Sequence, residues 1–427
     1  MASPTPAAPA VGSAQRVLDE TAATRAWNWI LARQGLTDSR RLSTAWQVAD
    51  AALGLHAARL PSPYAIVATR TSDPAIPASL FTSPVRASLM TVRCMRKTLH
   101  TLPLPLAAAA HTATLRFRYR DARRAVLNAG HAPATIDRMI DQLCVLLQDG
   151  PLPHRAIEAR LSTRRAGVHS WRLAIKVAWE RGTIAYINAA TTWNREARTF
   201  ALTSAAYPTL NVSLTSEQAI TELVTAYFDR YGPATVRDAT WWSGLSATDI
   251  TAALLACGRP VIAVATPWSD APCLMFADQL AESTSNDAVI TRVQFLAHED
   301  SALKAYFQTR GRYLGGIPQQ RAFNQIGEAL PCVIVDGLVA GTWSWNNRTA
   351  SIDVDLIRGK ATAPVRCQLK ARAAALTETL RSAWAPCPPS RRAIGDQAPL
   401  FPAVPAIAPL PARLAASVTT PPASHRK

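Results

Sequence analysis

The side chains best suited to chemistry collect where the chain breaks at two prolines. Through Gln47–Arg70, QVADAALGLHAARLPSPYAIVATR, an amphipathic helical pattern presents Ala51, Leu53, Leu55 and Leu60 to a core, stops at Pro61 and Pro63, and resumes as an apolar run. His56, Arg59, Ser62 and Tyr64 lie at the break. A helix end held open by proline leaves side chains and backbone groups free for work. A neutral histidine there, with an ordinary pKa near about 6.5, can hold a water molecule or take its proton. By residue type alone, His56 reads more readily as a hydrogen-bonded histidine in a helix-end corner.

Charge supplies the second clue. The 427 residues carry 46 Lys+Arg against 29 Asp+Glu, a net charge of +17, and the pI is near 10.2. Almost all the cations are arginine; the lysines are Lys97, Lys176, Lys304, Lys360, Lys370 and Lys427. Arginine makes forked contacts to phosphate, so a nucleic acid is the expected partner. A GC-rich genome also favours Ala and Arg, but Asp and Glu have not risen alongside. The densest basic patch is RFRYRDARR, Arg116–Arg124. As a strand it would set Arg116, Arg118 and Arg120 on one face and Phe117 and Tyr119 on the other; a helix would spread them. It fits a phosphate-contacting edge or an ordinary solvated face. Trp193, Arg195 and Arg198 sit in a polar loop that reads as a wing tip placed against a backbone, or as a wing shielding its own core.

Other classes are disfavoured. The seven cysteines are scattered, none forms C-x-x-C, and no Cys/His cluster has zinc spacing. Reduced thiols, no metal and no cofactor are therefore expected. No apolar run reaches the roughly 18 residues that span a bilayer, and the opening MASPTPAAPAVGSAQ lacks the pattern of a signal peptide. The expectation is a cytoplasmic, nucleoid-associated monomer with no membrane contact.

The elements that must position these residues fall into an α+β, mostly α pattern. Residues 1–15 and the Pro/Ala-rich stretch 385–427 read as disordered tails. Residues 16–121 give helical periodicity, the proline break, a short strand at Leu89–Cys94 and a turn. Residues 122–208 repeat the theme, with helices at Thr135–Leu147, Leu152–Leu161 and Val168–Arg181 and strands at Ile184–Asn188 and Thr199–Leu202. Three helices and a hairpin, twice over, is the winged-helix pattern. Residues 209–260 read as a third such unit, with a cap at Thr215 or Ser216, a short helix Thr235–Trp242, a turn at Gly244 and a helix capped by Ser246. That last helix, ATDITAALLAC, has no Arg, Lys, Asn or Gln and is a poor base reader. Trp241 and Trp242 read as core residues. Residues 261–384 change to short alternating strands, with a hairpin turn at Asp336-Gly337, and predict a small β-barrel with a terminal helix.

Several stretches carry a resemblance to the AlkZ/YcaQ-type DNA glycosylases. LARQGL (Leu31–Leu36) and GLHAA (Gly54–Ala58) resemble that family's RQGL and GLQAQ; RKTLH (Arg96–His100) resembles RGTLH. YGPATVRDATWWSGL (Tyr231–Leu245) is the most specific match, and VIVDGLVAGTWSW (Val333–Trp345) resembles the family's terminal motif. The resemblance implies tandem winged helices closed by a β-barrel around duplex DNA. It implies excision of bulky or cross-linking N7-alkylguanine adducts, in DNA repair or antibiotic self-resistance. It makes Arg96 and Lys97 phosphate contacts, and places His100 near the site.

Two departures matter. The family's catalytic motif is Gln-x-Gln or Gln-x-Asp, and the two positions are here His56 and Ala58. His56 can take over the first role; nothing replaces the second unless Arg59, Ser62 or Tyr64 reaches in. FLAHEDSALKAYFQTR (Phe295–Arg310) also differs from the relatives' sequence at that place. The alternative expectation is therefore a catalytically inactive winged-helix protein that binds DNA or regulates.

Overall fold

The computed structural model describes residues 16–162, 167–285, 293–357 and 362–386. The two tails expected to be disordered lie outside these residues, except for Ala385 and Pro386. The described chain is a mixture of helix and strand in which helix dominates.

Strand β1 (Arg16–Val17) leads into the first helix, Glu20–Arg33. Strands β2 (Leu55–His56), β3 (Leu89–Arg93), β4 (Leu99–Pro103), β5 (Leu152–Pro153), β6 (Ile184–Asn188) and β7 (Arg198–Leu202) form one six-stranded sheet in the order β2-β4-β3-β6-β7-β5. The hairpins expected from two separate stretches of sequence thus share a single sheet, joined where Thr91 pairs with Tyr186. Strands β8 (Val261–Thr266) and β9 (Ser269–Phe276) form a hairpin, and β8 pairs on its other side with β1. Strands β10 (Val293–Leu296), β11 (Cys332–Val335), β12 (Leu338–Asn346) and β13 (Ser351–Leu356) make an antiparallel sheet in sequence order. The expected β-barrel is corrected by this arrangement. The strands after Pro260 are split between two sheets, and neither closes among the described residues. The edge of β8 is taken by Arg16–Val17, leaving it no edge for the later strands.

Local chemistry explains the helices. Thr215, Thr235 and Ser246 each cap a helix and are answered three residues on by Gln218, Asp238 and Asp249 in reciprocal capping boxes. The helices Val236–Ser243 and Ala247–Ala256 meet at Gly244, whose φ of +79° makes the left-handed turn. The long helix Leu104–Asn128 absorbs the arginine-rich patch, so of the two geometries open for residues 116–120 the helical one holds. Its alanine-rich first half is strongly helix-forming, and Pro105 falls in the first turn, where proline costs no hydrogen bond. It packs against the helices Val168–Arg181 and Ser216–Tyr231. Among the described residues no helix is long and apolar enough to cross a membrane.

Candidate active site

His56 is the last residue of β2, and its place is set by the turn before it. Leu53 and Gly54 both take positive φ, +46° and +104°, as the chain leaves the helix Ala45–Ala51. A Cβ on Gly54 would lie 2.6 Å from the Leu102 side chain, so only glycine fits. β2 then pairs antiparallel with β4, setting His56 directly opposite His100. Their rings meet edge to face with centroids 5.6 Å apart.

A third histidine arrives from far along the chain. His298 lies 6.0 Å from His56, centroid to centroid. The next residue, Glu299, brings carboxylate Oε2 to 4.0 Å from His56 Nε2. Glu299 has φ +55°, a conformation that costs a non-glycine L-residue about 1 kcal/mol or more. Surrounding bonds hold it there. Its backbone N–H donates to Ala329 O at 2.9 Å, and its Oε1 accepts from Ala329 N and, at 2.8 Å, from Lys304 Nζ. Lys304 Nζ also donates to Gly327 O at 2.8 Å. The following residue, Asp300, is pinned by Arg70.

The rim is ionic and aromatic. Arg59 makes a two-pronged pair with Glu328, 3.2 and 3.0 Å, and His298 Nε2 lies 3.6 Å from the same carboxylate. Arg96, at φ +50°, stacks its guanidinium 3.8 Å from the ring centre of Trp241. Trp241 in turn packs on Phe307 at 4.6 Å. Asp238 ties this wall to the loop after Lys304, accepting from Phe307 N, Gln308 N and Thr309 N at 2.7, 2.6 and 3.2 Å.

Burial governs the electrostatics. His56 is 5 % exposed, and desolvation, then neighbouring His100 and His298, holds its pKa well below the ordinary value. Burial pushes His100 down to about 4 and lowers His298. Lys304 is lowered to about 8, again chiefly by burial, with Glu299 opposing. At neutral pH the three rings are uncharged. Nδ1 of His56 and Nδ1 of His298 are both buried with no hydrogen-bond partner in the protein. Orphaned buried ring nitrogens mark positions for water or substrate. Among the described residues no group of three or more His, Cys, Asp or Glu side chains is arranged to hold a metal.

The other expected residues scatter. Ala58 is exposed and offers only a methyl group. Ser62 is buried with its hydroxyl unbonded. Tyr64 turns away, stacking on Phe81 and donating to Thr379 O at 3.0 Å in the last helix, Ala363–Ser382. Lys97 pairs with Asp121. Arg116 and Arg120 are exposed, Arg116 reaching Asp249 at 2.9 Å. Arg118 is a correction: it is 1 % exposed and bonded to Glu180, facing the protein interior because the helix rotates it away from its neighbours. The loop before β7 is docked rather than projecting. Trp193 Nε1 donates to Leu380 O at 2.6 Å, and Arg195 Nη2 to Pro386 O at 3.2 Å. Arg198 pairs with Glu196 at 2.9 Å.

Sequence reasoning missed His298, Glu299 and Lys304 as site residues, and took Trp241 for core. The signal was present: HEDSALK places charged residues within an otherwise apolar stretch, at the departure from the relatives' pattern.

The chain belongs to the AlkZ-like DNA glycosylase family, whose model matches residues 49–382. A DNA substrate and a place in DNA repair follow at the level of that family. Among solved structures it is similar to the DNA glycosylase AlkZ of Streptomyces sahachiroi, with a TM-score of 0.67 and 20% sequence identity over 84% of this chain and 96% of that one. At that identity the likeness shows a shared fold. No curated protein sequence matches the chain.

Proposed function

We propose that this protein hydrolyses the N-glycosidic bond of N7-alkylguanine in duplex DNA, with His56 as the group that holds and deprotonates the attacking water. The observation that supports it most is the uncharged, buried His56 at the position of the family's first catalytic glutamine, with an unpartnered ring nitrogen. An N7-alkylguanine is already cationic, so the base leaves without being protonated. The transition state is oxocarbenium-like, and neutral histidines do not repel it. Lys304 and Arg59, two of the nearby cations, are each matched by a carboxylate. Water adds to C1′, the C1′–N9 electron pair leaves with the base, and the water's proton passes to His56 and on to solvent. Such general-base help is worth about 10²–10⁴ in rate.

The finer architecture belongs to the same reading: winged-helix units over 16–121, 122–208 and 209–260 that grip the duplex, followed by a β-rich unit over 261–384. Bulky or cross-linking adducts are the proposed substrates, and the protein acts as a cytoplasmic monomer. The exposed methyl of Ala58 favours one second reading, a DNA-binding descendant that has lost catalysis. Release of N7-methylguanine and of a bulky N7 adduct from labelled duplex, followed by an alkaline chase, separates the two. Strand breakage above a heat-inactivated control supports the enzyme. Tight, salt-sensitive binding without breakage supports the inactive descendant.

A further inference from the structure

The loop after β10 holds one carboxylate in an unusual way. Glu299 is 6 % exposed and sits in the left-handed backbone region. Both N–H groups that bind its side chain, from Ala329 and Lys304, go to Oε1. Among the described residues no hydrogen bond reaches Oε2, which faces His56 Nε2 across 4.0 Å. That gap is about 1 Å longer than a hydrogen bond, and catalytic contacts of this kind tighten when substrate binds. On the other side of the same ring, Nδ1 is without a partner.

We propose that Glu299 is the positioning residue of a His56–Glu299 dyad. The inference rests on the glycosylase reading above. The carboxylate fixes the tautomer with the proton on Nε2, leaving the Nδ1 lone pair to accept the water's proton. It then balances the imidazolium formed as water adds to C1′ and the base departs. A base oriented by a third group is the general logic of an activated nucleophile, and it compensates for the absent side chain at Ala58. Lys304 serves as the clamp that occupies Oε1 and turns Oε2 toward the histidine. This accounts for the clustering of His298, Glu299 and Lys304 where the sequence departs from its relatives.

The test uses the full chain and a duplex carrying N7-methylguanine. Glu299→Gln keeps the shape and removes the charge. The expected result is single-turnover release slowed by about 10²-fold, duplex affinity within a few-fold, and the acid limb of the pH–rate profile moved to lower pH. The limb moves that way because loss of the anion lowers the His56 pKa further. A purely structural role would not move it. Release at the wild-type rate with an unchanged profile overturns the dyad. A measurement on the wild type guards against a variant that fails to fold. The ¹⁵N shifts of His56 are expected to report an Nε2–H tautomer, and an Nδ1–H tautomer overturns the proposal. If the wild type releases no base, the glycosylase reading itself fails, and the catalytic role of the pair fails with it.

Discussion

Arg70 and Asp300 form a two-pronged ion pair with both side chains fully excluded from solvent: Nη1 to Oδ2 at 2.9 Å and Nη2 to Oδ1 at 2.6 Å. The pair fastens the end of the helix Ser62–Ala68 to the loop that carries Glu299. Asp300 also accepts from the backbone of Ala302 at 3.0 Å, so one carboxylate shapes the loop and anchors it.

Asp300→Ala leaves the Arg70 charge buried and unpaired. It should cost about 3–5 kcal/mol of stability, read as a lower urea midpoint at unchanged slope. Replacing both residues with apolar side chains should cost clearly less than the sum of the single changes. Additive losses would show that the two do not act as a pair.

His56→Ala should reduce base release by about 10²-fold or more while duplex affinity stays within a few-fold. The folded pKa of His56 is depressed, so the wild-type ring stays neutral on mild acidification and release should persist below pH 6.5. Release that collapses as pH falls through 6.5 would place the essential base elsewhere.

Three histidines should make the protein acid-labile. Burial holds His56 well below 6.5, His100 at about 4 and His111 at about 3. In the unfolded chain each takes a proton near about 6.5. Between those values the unfolded state binds more protons, so stability falls as pH drops from 6.5 toward 4. Urea midpoints at pH 7 and pH 5 test this; equal midpoints would contradict it.

The arginine patch should divide in function. Arg116→Ala and Arg120→Ala remove exposed cations and should each lower the salt dependence of duplex binding by about one phosphate contact. Arg118→Ala should instead cost stability, by taking one of its arginine partners from the buried Glu180. A drop in salt slope with Arg118→Ala at unchanged stability would reverse that assignment.

The sequence by itself determined what is local. The capping residues Thr215 and Ser246 and the left-handed Gly244 form because each depends on neighbours a few residues away. The segment around His56 is a correction: the helix expected to run to Pro61 ends at Ala51, His56 lies in a strand, and Leu60 is exposed rather than facing a core. The resemblance to the family was also legible in short motifs, and the family match over residues 49–382 agrees with it. Only the tertiary structure decided which distant side chains share a site. Glu299, whose carboxylate lies 4.0 Å from His56, comes from a loop far along the chain, and no periodicity links the two. Arg118 looked like its exposed neighbours until Glu180, on another helix, drew it inward. The two residues of β1 carried no strand pattern, yet their pairing took the edge of β8 and left no barrel to close among the described residues. Long-range pairing is set by which surfaces meet, and charge burial by which partner is waiting there, and neither is written in the spacing of residues along the chain.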